Sequence, residues 1–180
     1  MSWRQGIHGY AARWDAITAP LSRPNAPHLS RPARFQRDCF AYDPATVEIW
    51  FMHRGAQVIG RGAELGLEIW ADDYGLAFAF TPPAGAYSLA DGVADGRYAQ
   101  CSVGAGIAES SPVPHHNGYL DIITLAGLRE ISICPVGACP GAVCWHAAAP
   151  SAHLPALTAA LVPTWMRSRE ANRQIRRGYP

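Results

Sequence analysis

The sequence predicts a mainly antiparallel β-barrel or β-sandwich of six or seven short strands with one or two helices. Short apolar runs, several of them alternating, recur between turn signals rich in Gly, Pro and Asp. Only residues 154–175 have the spacing of a long amphipathic helix, which Pro163 would kink. With 180 residues, the chain is long enough for one sizeable core. We therefore expect one β-domain over residues 1–150, followed by a C-terminal helix and tail over residues 151–180.

The first third of the chain contains two predicted strands and one irregular segment. Residues 6–14 begin with a strand-like run, whereas residues 19–32 carry four prolines and cannot form a continuous helix or a central strand. Residues 47–53 are β-prone, with apolar side chains at alternate positions. Strict alternation places His53 on the same face as Val47, at the end of this strand.

The middle of the chain contains the clearest hairpin. Residues 65–70 and the alternating run 76–80 flank the turn signal at residues 72–75. Residues 87–94 are predicted to form a short helix that Gly96 ends. Three further strands are predicted at residues 98–107, 119–124 and 128–134.

Composition gives little reason to expect a nucleic-acid or membrane partner, because the net charge is +1 and 49% of residues are hydrophobic. All the basic side chains apart from histidine are arginines, and five of them fall in the last fourteen residues. This cluster predicts either a solvated helix end or a tail that docks on an acidic partner. The N-terminus lacks an apolar core of signal-peptide length, so we expect a cytoplasmic protein without a disulfide framework for its five cysteines.

Three β-like segments together offer a base, a nucleophile and an acid. They carry His53, Ser102 and Glu130, and Asp121 on the preceding predicted strand is a rival for the acid. Histidine titrates near neutrality and can take the proton of a serine, while an acid behind the histidine fixes its tautomer. Gly104 leaves room for the close approach of a substrate strand. The pattern therefore favours a serine hydrolase triad on a rigid β-framework.

Other side chains offer competing chemistry. Cysteines at three positions and a nearby histidine could bind zinc, but their four-residue gaps differ from the two-residue gaps of a zinc knuckle. Buried thiols that pack as small apolar groups fit the spacing better. Cys101 is a poor nucleophile candidate, because neighbouring strand residues point to opposite faces and Ser102 occupies the other face. We expect no cofactor and no metal. The candidate zinc ligands are Cys134, Cys139, Cys144 and His146.

Over roughly residues 6–145 the sequence resembles the tailed-phage prohead (head maturation) protease family. The segments that carry the resemblance are Gly9-Tyr10-Ala11-Ala12, Phe51-Met52-His53-Arg54, Ile59-Gly60-Arg61, Asp72-Asp73-Tyr74-Gly75-Leu76, Cys101-Ser102-Val103-Gly104 and Leu128-Arg129-Glu130-Ile131-Ser132-Ile133, the last with Pro135 and Pro140-Gly141-Ala142.

The resemblance implies His53 as general base, Ser102 as nucleophile and Glu130 as the residue that orients the histidine, with Asp121 still open as the acid. It also implies a closed antiparallel β-barrel flanked by helices, similar to the herpesvirus assembly proteases. Members of the family cleave the scaffold portion of the major capsid protein, and then themselves, inside the immature capsid in the host cytoplasm. A second copy of the chain is a further candidate partner, and an oxyanion donor is expected near Gly137 or Ala138.

Two alternatives belong to other classes of function. One is a shell-associated assembly factor that keeps the fold without activity. The other is a cysteine-bound zinc module. An enzyme needs His53 within reach of the Ser102 hydroxyl, whereas a zinc module needs stoichiometric metal in the purified protein.

Overall fold

The computed structural model describes residues 6–21, 30–116 and 118–147. Within these ranges the chain forms ten strands, two short α-helices and one 3-10 turn. The predicted helix at residues 154–175 and the arginine-rich tail lie outside the described residues. The strands are β1 (Gly6–Arg13), β2 (Ala33–Phe35), β3 (Phe40–Ala41), β4 (Glu48–Phe51), β5 (Val58–Arg61), β6 (Glu68–Ala71), β7 (Gly75–Phe80), β8 (Gln100–His115), β9 (Gly118–Cys134) and β10 (Cys144–Ala147). The helices are α1 (Gly62–Leu65) and α2 (Tyr87–Ala94), and the 3-10 turn is Gly55–Gln57.

The smaller sheet has four antiparallel strands in the order β10-β1-β7-β6. Its β6–β7 hairpin confirms the one predicted around residues 72–75. The carboxylate of Asp72 closes the turn, because its Oδ1 accepts the N–H groups of Tyr74 at 2.7 Å and Gly75 at 3.0 Å. Such local bonding is the reason that aspartate favours turns.

The larger sheet is organised by β9, which has 17 residues. One edge of β9 pairs antiparallel with β8 along almost its whole length. The other edge pairs in succession with β2, β3 and β4, all parallel, and β5 adds to β4. A single long strand therefore supports most of this sheet.

The predicted closed barrel is wrong: the fold is mainly β, but neither sheet of the described residues closes. The predicted count of six or seven strands is also wrong, since the described residues form ten. The pairing is mainly antiparallel, as predicted, but three strands pair with β9 in parallel. The segments 119–124 and 128–134 are one strand, because Ala126 and Gly127 stay paired to β3 and β8. Three short strands, β2, β3 and β4, pair with successive parts of one edge of β9. The sheet therefore extends along β9 and does not curl into a closed barrel.

The two sheets share one hydrophobic cluster and meet close to the start of β8. The Cys101 N–H donates to the Ala142 carbonyl at 3.0 Å, and the Tyr10 N–H donates to the Val143 carbonyl at 2.8 Å. Ser102 therefore directly follows a residue of β8 that is bonded to the segment before β10. The largest apolar side chains below 2% exposure are Ile7, Val47, Ile49, Leu76, Phe78, Ile123, Ile131 and Ile133.

The predicted short helix is confirmed as α2, with the predicted bounds. Gly96 follows it with a φ of 82°, in the left-handed region that glycine adopts without strain, and donates its N–H to the Val93 carbonyl at 3.3 Å. No helix in the described ranges is long and apolar enough to cross a membrane.

A buried and a partly exposed residue of β9, separated by a shift in the register with β8, give a direct test of the core. Ile123→Ala is expected to destabilise the protein by about 2–5 kcal/mol, because Ile123 is fully buried. Leu125→Ala, on the same strand at 39% exposure, is expected to cost less than about 1 kcal/mol. Urea denaturation measures both free energies, and equal losses would contradict the placement of the core.

Candidate active site

The candidate active site lies where β4, β8 and β9 run side by side. Ser102 on β8 is directly opposite Ser132 on β9, and Gly104 is opposite Glu130. Residues directly opposite each other in an antiparallel pair project to the same face, with Cα atoms about 4.5–5.5 Å apart. The register thus brings the predicted nucleophile and the predicted acid onto one face of the larger sheet.

The other face of these strands belongs to the core. Cys101 pairs with Ile133, and both side chains are fully buried. The prediction that Cys101 and Ser102 point to opposite faces is therefore confirmed.

His53 does not lie where strict alternation placed it. The prediction put it on the Val47 face, but β4 ends at Phe51, and Met52 and His53 have left-handed φ values of 57° and 55°. These two residues reverse the direction in which the His53 side chain projects, so that the imidazole lies against Glu130 on the opposite face of the sheet. Left-handed backbone at residues other than glycine costs of order 1–3 kcal/mol each and concentrates at functional sites.

Hydrogen bonds to β9 hold this turn in place. The Met52 N–H donates to the Ile133 carbonyl at 3.0 Å, and the His53 N–H donates to Ser132 Oγ at 3.1 Å. The Arg54 N–H then donates back to the Phe51 carbonyl at 3.2 Å. The strained turn is thereby fixed by three bonds, two of them to the strand that carries Glu130.

The imidazole and the carboxylate of the site meet at His53 Nδ1 and Glu130 Oε1, 2.7 Å apart. An ionised carboxylate only accepts hydrogen bonds, so Nδ1 carries the proton and Nε2 is left as the basic nitrogen. The Glu130 side chain is 7% exposed and that of His53 is 44% exposed. The carboxylate is therefore enclosed, while the imidazole is partly open to solvent.

Glu130 also sets the protonation behaviour of His53. The hydrogen bond to Glu130 raises the pKa of His53 above its usual 6.5, and the negative charge of the carboxylate acts in the same direction. Partial burial opposes this by lowering the pKa. Glu130 thus stabilises the imidazolium, the species that forms when histidine accepts a proton.

Sequence reasoning assigned no role to Ser132, which is fully buried within this group. Its hydroxyl donates to Glu130 Oε2 at 2.7 Å, accepts the His53 N–H, and lies 3.2 Å from His53 Nδ1. Ser132 follows Glu130 by two positions on a strand, the spacing that puts two side chains on one face. That spacing was the available sequence signal.

Ser102 lies beside this group and is 6% exposed. Among the hydrogen bonds between described residues, none joins the Ser102 hydroxyl to His53. Bonds between nucleophile and base are often long without substrate and shorten in the reactive complex.

The structure gives a reason for glycine at position 104 that the sequence did not predict. A Cβ at this position would overlap Oε1 of Glu130. The missing side chain thus makes room for the carboxylate, and that room lets Glu130 reach His53.

Asp121, the rival acid, lies far from His53. Asp121 and Glu130 are nine residues apart on the same strand, or about 30 Å at the rise of an extended chain. Asp121 is buried, and its carboxylate lies 3.7 Å from the guanidinium of Arg31. The structure thus brings Glu130 to the histidine and leaves Asp121 elsewhere.

The loop after β9 packs on the strand of Ser102. A Cβ on Gly137 would overlap the Cys101 carbonyl, so only glycine allows this approach. The Gly137 N–H, near the expected oxyanion donor, donates to Gln100 Oε1 at 2.8 Å. Gln100 precedes Ser102 by two positions and shares its face, so it links this loop to the strand that carries Ser102.

All five cysteines are free and buried. Burial raises the pKa of Cys134 to about 11 and that of Cys39 to about 12, and it also raises the pKa of Cys101. These thiols stay protonated near neutral pH. No group of three or more His, Cys, Asp or Glu side chains in the described ranges is arranged to hold a metal ion.

Comparison with known proteins gives one family. The model of the caudovirus prohead serine proteases matches residues 2–153, which include the whole site. No curated protein has a significant match to the sequence.

Gly104→Ala is expected to displace the Glu130 carboxylate and to lower the pKa of His53 toward its usual value. Gly106→Ala is the matched control on the same strand, because its Cβ would meet only the flexible end of Arg129, 3.3 Å away at Nη2. NMR titration of the imidazole protons measures the pKa of His53 in both variants. An unchanged pKa in Gly104→Ala would contradict the assigned reason for the glycine.

Stability is expected to depend on pH through the same pair. The raised pKa of His53 means that its pairing with Glu130 stabilises the fold fully below the unfolded pKa of about 6.5 and that this contribution is lost as pH rises through the folded pKa. The stability difference between wild type and Glu130→Gln should therefore shrink from pH 5.5 to pH 9.

Urea denaturation at several pH values measures this difference. Asp73→Asn, which removes an exposed partner of Arg37, is the control and should show a flat difference over the same range. A flat difference for Glu130→Gln as well would exclude the pair as the source of the dependence.

Proposed function

Since the chain belongs to the caudovirus prohead serine protease family, and is thus a serine peptidase of phage head maturation, we propose that His53, Ser102 and Glu130 are its catalytic triad. The observation that carries this proposal is the 2.7 Å bond between His53 Nδ1 and Glu130 Oε1 on the face of the sheet that bears Ser102. A base with a fixed tautomer next to a serine is the arrangement that nucleophilic catalysis requires.

In the proposed reaction the Ser102 hydroxyl attacks the carbonyl carbon of the scissile peptide bond. Nε2 of His53 takes the hydroxyl proton, and Glu130 stabilises the imidazolium from the Nδ1 side. The imidazolium then gives this proton to the leaving amine, so that the C–N bond breaks and an acyl group remains on Ser102. Water activated by His53 releases the acyl group and restores the serine.

We further propose that the substrates are the scaffold portion of the major capsid protein and the peptidase itself. The site of action would be the immature capsid in the host cytoplasm. This proposal follows from the family, whose description names the prohead as its setting. The partly exposed imidazole of His53 supports it, since a polypeptide substrate needs an open site.

The proposal is tested by co-expression of the chain with its cognate major capsid protein. Wild type should cleave the capsid protein and itself, whereas Ser102→Ala should lose about 10⁴-fold or more in rate. Cys101→Ala is the matched control and should retain cleavage, because the thiol faces the core. Intact-mass spectrometry of both proteins measures the cleavage and maps the sites.

Two outcomes would contradict the proposal. Equal cleavage by wild type and Ser102→Ala would exclude Ser102 as nucleophile. Absence of cleavage by wild type in assembled shells would favour the assembly factor that keeps the fold without activity.

A further inference from the structure

We propose that Ser132 is a positioning residue that holds the base and the acid of the site in register, an inference that rests on the proposed roles of His53 and Glu130. Its hydroxyl bonds to both residues: it donates its proton to Glu130, and its oxygen accepts the backbone N–H of His53. One bond orients the carboxylate, and the other holds the backbone that carries the imidazole.

The first bond orients Glu130. The Ser132 hydroxyl donates to Oε2 at 2.7 Å, which leaves Oε1 directed at His53 Nδ1 at the same distance. A carboxylate held at one oxygen cannot rotate away from the imidazole without losing a buried hydrogen bond. Such charge-assisted bonds contribute more than neutral ones.

The second bond holds the turn. Ser132 Oγ accepts the backbone N–H of His53, whose φ of 55° is strained for a residue other than glycine. Removal of the hydroxyl would leave this N–H without its partner at the point of strain. The imidazole would then lose one of the restraints that turn it toward Glu130 and away from the core face.

Ser132 is not itself placed to act as the nucleophile. It is fully buried, and its proton is directed at Glu130 instead of at a basic nitrogen. The imidazole atom nearest to it is Nδ1, at 3.2 Å, which is the nitrogen that donates to the carboxylate. Ser102 is directly opposite on β8, and no hydrogen bond between described residues joins its hydroxyl to Glu130 or to His53.

The strand context explains why a serine suits this position. β9 lies between β4 and β8, so the Ser132 Cα is fixed by pairing with Trp50 on one side and Ser102 on the other. The hydroxymethyl group is the smallest side chain that both donates and accepts a hydrogen bond. A rigid strand and a short side chain hold a catalytic pair more accurately than a loop does.

Ser132→Ala tests the proposal in the assay with the cognate capsid protein. We expect kcat to fall about 10–100-fold with little change in KM, because loss of orientation affects the reacting geometry and not substrate binding. The acid limb of the kcat/KM profile should move to lower pH, because the raised pKa of His53 traces to Glu130 alone among the described residues. Ser132→Thr keeps the hydroxyl and should recover part of the loss.

Thr18→Ala is the matched control, since it removes another buried hydroxyl, which accepts the Ala33 N–H at 3.0 Å and bonds to none of the site residues. Thr18→Ala should lower the free energy of unfolding without moving the acid limb of the kcat/KM profile. The inference would be overturned if Ser132→Ala kept the wild-type kcat and the wild-type acid limb of the kcat/KM profile. It would also be overturned if Thr18→Ala moved the acid limb as far as Ser132→Ala does. Absence of cleavage by wild type would instead contradict the proposed function.

A measurement that needs no enzymatic activity also distinguishes failure of the inference about Ser132 from failure of the proposed function. NMR titration of His53 in the Ser102→Ala background should give a raised pKa, and the additional change Ser132→Ala should lower it. If Ser132→Ala fails to fold, the same titration of Ser132→Thr decides: a pKa close to that of the parent supports the role of the hydroxyl, and the usual value for histidine contradicts it.

Discussion

The site depends on one hydrogen bond, between His53 Nδ1 and Glu130 Oε1, and on the constraint that makes it possible. A regular strand would have directed His53 into the core. Two consecutive left-handed residues reverse the side chain, and their cost is offset by bonds to β9, the strand that carries the acid. The same strand thus supplies the carboxylate and the restraint on the base, so the two cannot move independently.

The larger sheet is built in a way that serves this bond. β9 pairs with β4 on one edge and with β8 on the other. This pairing brings the turn at Met52 and His53, and also Ser102, next to residues 130–133 of β9. Gly104 supplies the space that the carboxylate fills, and the first residues of β8 are anchored to the second sheet. Of the His53–Glu130 pair, the imidazole is the partly exposed member.

Sequence reasoning could predict the chemical types but not the arrangement of the sheets. Alternation and turn signals predicted the β6–β7 hairpin and α2, because local bonding and burial decide these elements. The pairing of β2, β3 and β4 with one long strand depends on contacts between distant residues, which alternation does not encode. His53 shows the same limit, since the left-handed turn breaks the period on which its predicted face depended. Ser132 was missed because it acts through two neighbours and not through chemistry of its own.

Labelling with a fluorophosphonate, followed by peptide mapping of the modified residue, is a direct test of the proposed roles of Ser102 and His53. One adduct is expected, on Ser102, that forms in the wild type and not in His53→Ala. Such a result would establish an activated serine and its base together. An adduct on Ser132 or on a cysteine, equal labelling without His53, or no adduct on the folded wild type would contradict these roles.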